Sequence, residues 1–151
     1  MRALLDSHTA PTEIKETALA RTALDAALAL DCEVDQIAKS IVLRGETTGE
    51  AVLFITAGGQ QVDLERASAL AGEPLGKADA ALIRAQTGFA IGGVSPVAHL
   101  NPCRKWFDTT LLGFDKIWAA AGTPHHVFGM IPQQMIEISG AQVAEFIQNS
   151  K

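Results

Sequence analysis

Ser40-Ile41-Val42-Leu43-Arg44-Gly45-Glu46-Thr47-Thr48-Gly49-Glu50-Ala51-Val52-Leu53-Phe54-Ile55-Thr56 decides the fold class. Two apolar, β-branched runs flank Gly45 to Gly49, a pattern that predicts a β-hairpin. Ala57-Gly58-Gly59 closes the second strand. A hairpin is antiparallel, so its sheet is not the all-parallel sheet of a doubly wound fold. Helical patterns surround it. Thr22 caps a helix with Ala23, Ala26, Ala27 and Leu30 on its apolar face, ending near Asp31-Cys32. Asp63 opens a second helix, Leu64 to Ala71, stopped at Gly72, and Asp79 a third, Ala80 to Gln86, stopped at Gly88. Glu13-Ile14-Lys15-Glu16-Thr17 reads as either an edge strand or a helix start.

Beyond Pro102 the pattern turns β-rich. Trp106-Phe107-Asp108, Thr110-Leu111-Leu112, Lys116 to Ala120 and His126 to Met130 are strand candidates. Pro132 to Met135 reads as one helical turn, and Ser139 as the cap of a last helix, Ala141 to Gln148. The expectation is an α+β fold in which a curved mixed β-sheet is flanked by helices, as one domain over residues 1–151.

The 151 residues suffice to bury a core without staples. Two distant cysteines, Cys32 and Cys103, show no metal spacing and suit a reduced compartment. The N-terminus lacks the apolar length of a signal peptide, and no run approaches a membrane span. These features predict a cytoplasmic protein without a membrane partner. A net charge of −5 argues against broad binding to duplex DNA, which uses clustered Lys and Arg. It leaves room for a single lysine on one or two phosphates.

Three stretches carry candidate chemistry. Gly92-Gly93-Val94-Ser95-Pro96 follows the apolar Phe89-Ala90-Ile91 and forms a stiff loop whose amides can converge on one point. It also reads as an ordinary strand-ending turn. Lys39 opens a strand and offers a point charge to a phosphate or carboxylate, or else lies in solvent. Ala121-Gly122-Thr123-Pro124-His125-His126 turns sharply and presents a hydroxyl and two imidazoles. Adjacent histidines in a strand point to opposite faces, which argues against a metal site. Ser95, His99 and Cys103 are spaced four apart but lie in no nucleophile elbow, and the phosphate-binding and dinucleotide glycine motifs are absent.

Taken in order, Ile37-Ala38-Lys39-Ser40, Gly92 to Pro96 and Ala121 to Phe128 resemble the YbaK/ProX family, relatives of the editing domain inserted in bacterial prolyl-tRNA synthetase. The resemblance spans roughly residues 12 to 148. It implies a barrel-like sheet and hydrolysis of the ester of a mischarged tRNA, in particular tRNA for proline carrying Ala or Cys. Lys39 then matches the lysine that holds the 3′-terminal nucleotide, and Gly92, Gly93, Val94, Ser95 and Pro96 match the loop that shapes the amino-acid pocket. Gly122 matches a glycine bordering the ester, with Thr123 and His125 lining the pocket. The resemblance implies neither metal nor cofactor. Its partner is the acceptor end of an aminoacyl-tRNA, delivered by prolyl-tRNA synthetase or an elongation factor. A non-catalytic module for a tRNA end or amino acid, and a deacylase for Ser- or Thr-mischarged tRNA, are the alternatives.

Overall fold

The hairpin forms, and each of its strands runs past its apolar core. A computed structural model describes residues 13–16 (backbone only), 22–89, 94–97, 99, 103–122 and 126–148. In chain order these give β1 (Glu13–Glu16), α1 (Ala23–Leu30), β2 (Ala38–Gly45), β3 (Ala51–Ala57), α2 (Leu64–Ala71), β4 (Leu75–Lys77), α3 (Ala80–Thr87), β5 (Lys105–Asp108), β6 (Ile117–Ala120), β7 (His126–Met130), α4 (Pro132–Ser139) and β8 (Gln142–Ala144). Short 3-10 turns cover Val34–Gln36 and Thr109–Gly113.

β3 is the centre of a five-stranded mixed sheet ordered β4-β2-β3-β5-β8. It pairs antiparallel with β2 and parallel with β5, and every one of its residues is buried. That double burial explains its unbroken apolar run. Successive side chains still alternate between two cores. Leu53, Ile55 and Ala57 face the principal core with Phe107, Ile117, Phe128 and Met135. Val52 and Phe54 face α2 and join Ala67, Trp106 and Phe146. There Phe54 stacks on Trp106 at 5.0 Å between ring centroids and meets the Phe146 ring edge-on at 4.9 Å.

β1, β7 and β6 make a second, antiparallel sheet. Among the described residues the two sheets meet at one parallel bridge, Ile37 to Trp118. The mixed sheet is therefore as expected, whereas the barrel-like closure is not made. β4 pairs only with Leu43, Arg44 and Gly45, so no strand among the described residues pairs with the outer edge of β2 from Ala38 to Val42. That gap is where the site lies.

Helix ends follow local chemistry. Thr22 Oγ accepts from Asp25 N at 3.1 Å, Asp63 from Glu65 N and Arg66 N, and Asp79 from Leu82 N at 2.8 Å. Three expectations after Pro102 are corrected. Thr110 to Leu112 is a 3-10 turn, not a strand, because the buried Asp108 carboxylate caps it at Thr110 N, 2.9 Å. The turn at Pro132 continues to Ser139, since Pro132 occupies the first helical position, where its missing N–H costs nothing. The last helix is absent. Gly140 ends α4, and Gln142–Ala144 instead pairs parallel with β5. Phe146 fills the second core, and Ile147 bridges to Val62. The spacing of Val143, Ala144, Phe146 and Ile147 mimics a helical face, but an open strand edge and an aromatic pocket win.

Candidate functional site

Where β2 and β6 diverge, the wall is built of small residues: Ala23 and Ala26 of α1, Ala38 of β2, Ala119 and Ala120 of β6, and Gly58 after β3. Their missing bulk leaves a cavity of about 490 Å³. Lys39, Ser40 and Ile41 form one side of it, Trp118, His126 and Val127 another, and Val94 reaches in from the loop ahead of β5. A volume of this order suits a small ligand, and the lining is chiefly apolar with few polar groups.

Lys39 is the principal cation in this wall. It is half-buried, and its Nζ donates to the carbonyl oxygens of Gly58 at 3.2 Å and Gln60 at 2.5 Å. Burial pulls its pKa below the usual lysine value, while the Asp35 and Asp108 carboxylates push it back up. An ammonium has three donors, so two are engaged by backbone and one remains for the cavity. Beside it Ser40 Oγ is buried with no hydrogen-bond partner. Its hydroxyl was not singled out by motif, and only the fold exposes it as unspent polarity in the wall.

The loop ahead of β5 is fixed from beneath. Val94, Ser95, Pro96 and Val97 are all buried, and Ser95 is fully so. Ser95 Oγ accepts from Val97 N at 3.3 Å, and the Ser95 carbonyl lies 2.5 Å from His99 Nε2. A carbonyl only accepts, so Nε2 carries the proton and the buried Nδ1 is left without a partner. Burial holds the His99 pKa below the usual imidazole value, with Lys105 adding to this and the Ser95 contact opposing it. Ser95 and His99 thus act as loop structure, not as a nucleophile and base.

Gly122 sits on the loop after β6 at φ +98°, a conformation that favours glycine. A Cβ there would lie 3.2 Å from Phe89 Cε1. The Phe89 ring also meets the His99 ring edge-on at 6.1 Å. One aromatic therefore packs against Gly122 and against His99, whose ring meets the Ser95 carbonyl. Lys39 and Val94 line one cavity, whereas Ser95 and Pro96 are buried and, like Gly122, which rests on Phe89, are not part of its lining. Gly92, Gly93, Thr123 and His125 lie outside the described residues.

Cys103 belongs elsewhere. It borders a separate open groove with Glu50, Gln86 and Arg104, and its Sγ donates to the Ala51 carbonyl at 3.3 Å. Burial pushes its pKa up to about 11. At pH 8 its thiolate fraction is then roughly a hundredth of that of an ordinary cysteine. Iodoacetamide is expected to modify Cys103 about a hundredfold more slowly than a small thiol, measured by mass spectrometry of the peptide. Among the described residues no group of three or more His, Cys, Asp or Glu is arranged to hold a metal ion. No described helix is long and apolar enough to cross a membrane.

Comparison with known proteins agrees with this geometry. The chain is 27% identical over 122 residues to the uncharacterized protein YwhH of Bacillus subtilis (strain 168), covering 81% of this chain and 77% of that one. It superposes with a TM-score of 0.85 on the crystal structure of a candidate trans-editing enzyme for prolyl-tRNA synthetase, at 42% identity over 91% of this chain and 87% of that one. The crystal structure of the hypothetical protein APE2540 superposes at 0.84, with 25% identity over 97% and 95% of the two chains. Residues 17–138 match the aminoacyl-tRNA editing domain. That span takes in β2 with Lys39, the turn at Val94 and the loop at Gly122, and by it the chain belongs to the aminoacyl-tRNA editing domain family.

Proposed function

We propose that the chain is a trans-acting aminoacyl-tRNA deacylase that hydrolyses the ester of tRNA for proline carrying Ala or Cys. The observation that carries this reading is the shared cavity: Lys39 and Val94, 55 positions apart, line the same hollow. In this reading the free donor of Lys39 holds a phosphate at the 3′-end. The loop Gly92 to Pro96 shapes the amino-acid pocket and supplies backbone N–H groups, from residues ahead of Pro96, near the ester carbonyl, while Gly122 borders the ester and Thr123 and His125 line the pocket.

Water attack on the ester builds negative charge on the carbonyl oxygen. Fixed amides in a dry site lower the energy of that charge by about 3 kcal/mol each. The substrate's vicinal ribose hydroxyl orients the water, so no side-chain nucleophile is required. The engagement of Ser95 and His99 in loop structure and the high pKa of Cys103 favour this route. Discrimination follows from size. A synthetase pocket rejects a smaller residue by only about 10–200-fold per methylene, and a second, compact site removes what slips through. The acidic net charge of −5 favours contact confined to the acceptor end, with a synthetase or elongation factor delivering the rest.

The test is incubation with tRNA for proline charged separately with Ala, Cys, Ser and Pro. Release of Ala or Cys, with Pro retained, is expected, and Cys103→Ala should release them at the wild-type rate. Release of Ser ahead of both would reassign the substrate. No release from any of the four, with binding retained, would make the protein a binding module.

A further inference from the structure

We infer that Asp35 is a positioning residue for Lys39, acting through the turn Ala57–Gln60 whose carbonyls hold the lysine amine. The inference rests on the reading of Lys39 as the cation that grips the substrate phosphate.

The turn is closed by Gln60 N donating to the Ala57 carbonyl at 2.9 Å. Its outer side is clamped by one carboxylate. Asp35 Oδ1 accepts from Gly59 N at 2.7 Å, and Oδ2 accepts from Gln60 Nε2 at 3.1 Å. The first contact is on the peptide group that carries the Gly58 carbonyl, and the second holds the side chain of Gln60, whose own carbonyl is the other acceptor for Lys39 Nζ. The packing allows nothing larger there. A Cβ on Gly58 would fall 2.3 Å from the Val34 carbonyl oxygen, and one on Gly59 would fall 2.6 Å from Asp35 Oδ1. The turn is therefore pressed onto the Val34–Gln36 segment, and Asp35 holds Gly59 N and the Gln60 side chain, next to the two carbonyls that hold Lys39.

Asp35 also supplies charge. The carboxylates that favour the charged form of Lys39 are Asp35 and Asp108, while the imidazole of His126 borders the same cavity. Asp108 holds the other end of the turn, accepting from Ala57 N at 3.0 Å, but it is fully buried and also caps Thr110. Its removal would damage the core. Asp35 is accessible to a cleaner test.

The Asp35→Ala and Asp35→Asn variants are compared with wild type in two measurements. The first follows the Lys39 side chain by NMR as pH is raised. Asp35→Ala is expected to move the Lys39 titration to lower pH, since a carboxylate that raises its pKa is gone. The second is deacylation of alanyl-tRNA for proline. There kcat/KM is expected to fall about tenfold, mostly through KM, the scale of one charge-assisted hydrogen bond. Asp35→Asn keeps an acceptor for Gly59 N but not the charge, and is expected between wild type and Asp35→Ala in both measurements. If Asp35→Ala does not fold, Asp35→Asn carries the test by the same two readouts. A folded variant with unchanged Lys39 titration and unchanged KM overturns the inference. Wild-type protein that deacylates none of the charged tRNAs overturns the deacylase reading instead, and the Lys39 titration then decides the role of Asp35 alone.

Discussion

Lys39→Ala is expected to lower kcat/KM for amino-acid release by about 10- to 100-fold, the range of a lost hydrogen bond between charged partners. The loss should fall mainly on KM, because the lysine meets a phosphate remote from the bond that breaks. It should also change the salt dependence. A single phosphate contact to a single-stranded end contributes about 0.7 to the slope of log KM against log salt, and the variant should lack it. Lys39→Arg is not a conservative replacement here. The wall offers two carbonyls to a compact ammonium, at 3.2 and 2.5 Å, and a planar guanidinium cannot take the same place. Its recovery should be small. Circular dichroism should be unchanged in both variants, since Lys39 lies beside the cavity on the edge of β2 with which no described strand pairs. A Lys39→Ala enzyme with wild-type KM and an unaltered salt slope would remove the lysine from the proposed site.

The parts legible in the sequence are those whose cause is local. Thr22, Asp63 and Asp79 each satisfy an amide within three residues, and Gly72 and Gly88 end helices by adopting positive φ, so these boundaries follow from neighbours alone. The hairpin is legible because period and turn chemistry agree over one continuous stretch. What failed was decided at a distance. Nothing near Gln142 says that β5 offers it an open edge, and nothing near Phe146 says that Phe54 and Trp106 leave a slot for its ring. The same distinction holds at the site. Lys39 was found by residue type and order, but the two carbonyls that hold it come from a turn about 20 positions on, and Asp35 reaches that turn only through the fold. The unpartnered Ser40 hydroxyl is a property of packing, which no motif reveals. The barrel closure that the family likeness implies is not made: among the described residues β6 meets the chain ahead of β2 at one bridge, to Ile37. The opening left there is the cavity itself.

Gly122→Ala is the sharper test of the reacting centre. At φ +98° an alanine pays a backbone cost of order 1–3 kcal/mol, and its Cβ would press on Phe89 at 3.2 Å. The contact needs only a few tenths of an ångström of relief, whereas the torsion has no such escape. The backbone is therefore expected to shift, and with it any peptide group that borders the ester. A displacement of about 1 Å at a reacting centre costs on the order of 100-fold in rate. The expected result is a drop of that size in kcat under single-turnover conditions, a lower melting temperature, and little change in KM. The companion variant Gly122→Ala/Phe89→Leu separates the two causes. Removing the ring clears the steric contact but leaves φ as it was, so the rate should stay low. Recovery to wild type in the double variant would assign the defect to packing against Phe89. A Gly122→Ala protein that melts lower but deacylates at full rate would place the ester away from this loop, and the loop after β6 would then be read as fold alone.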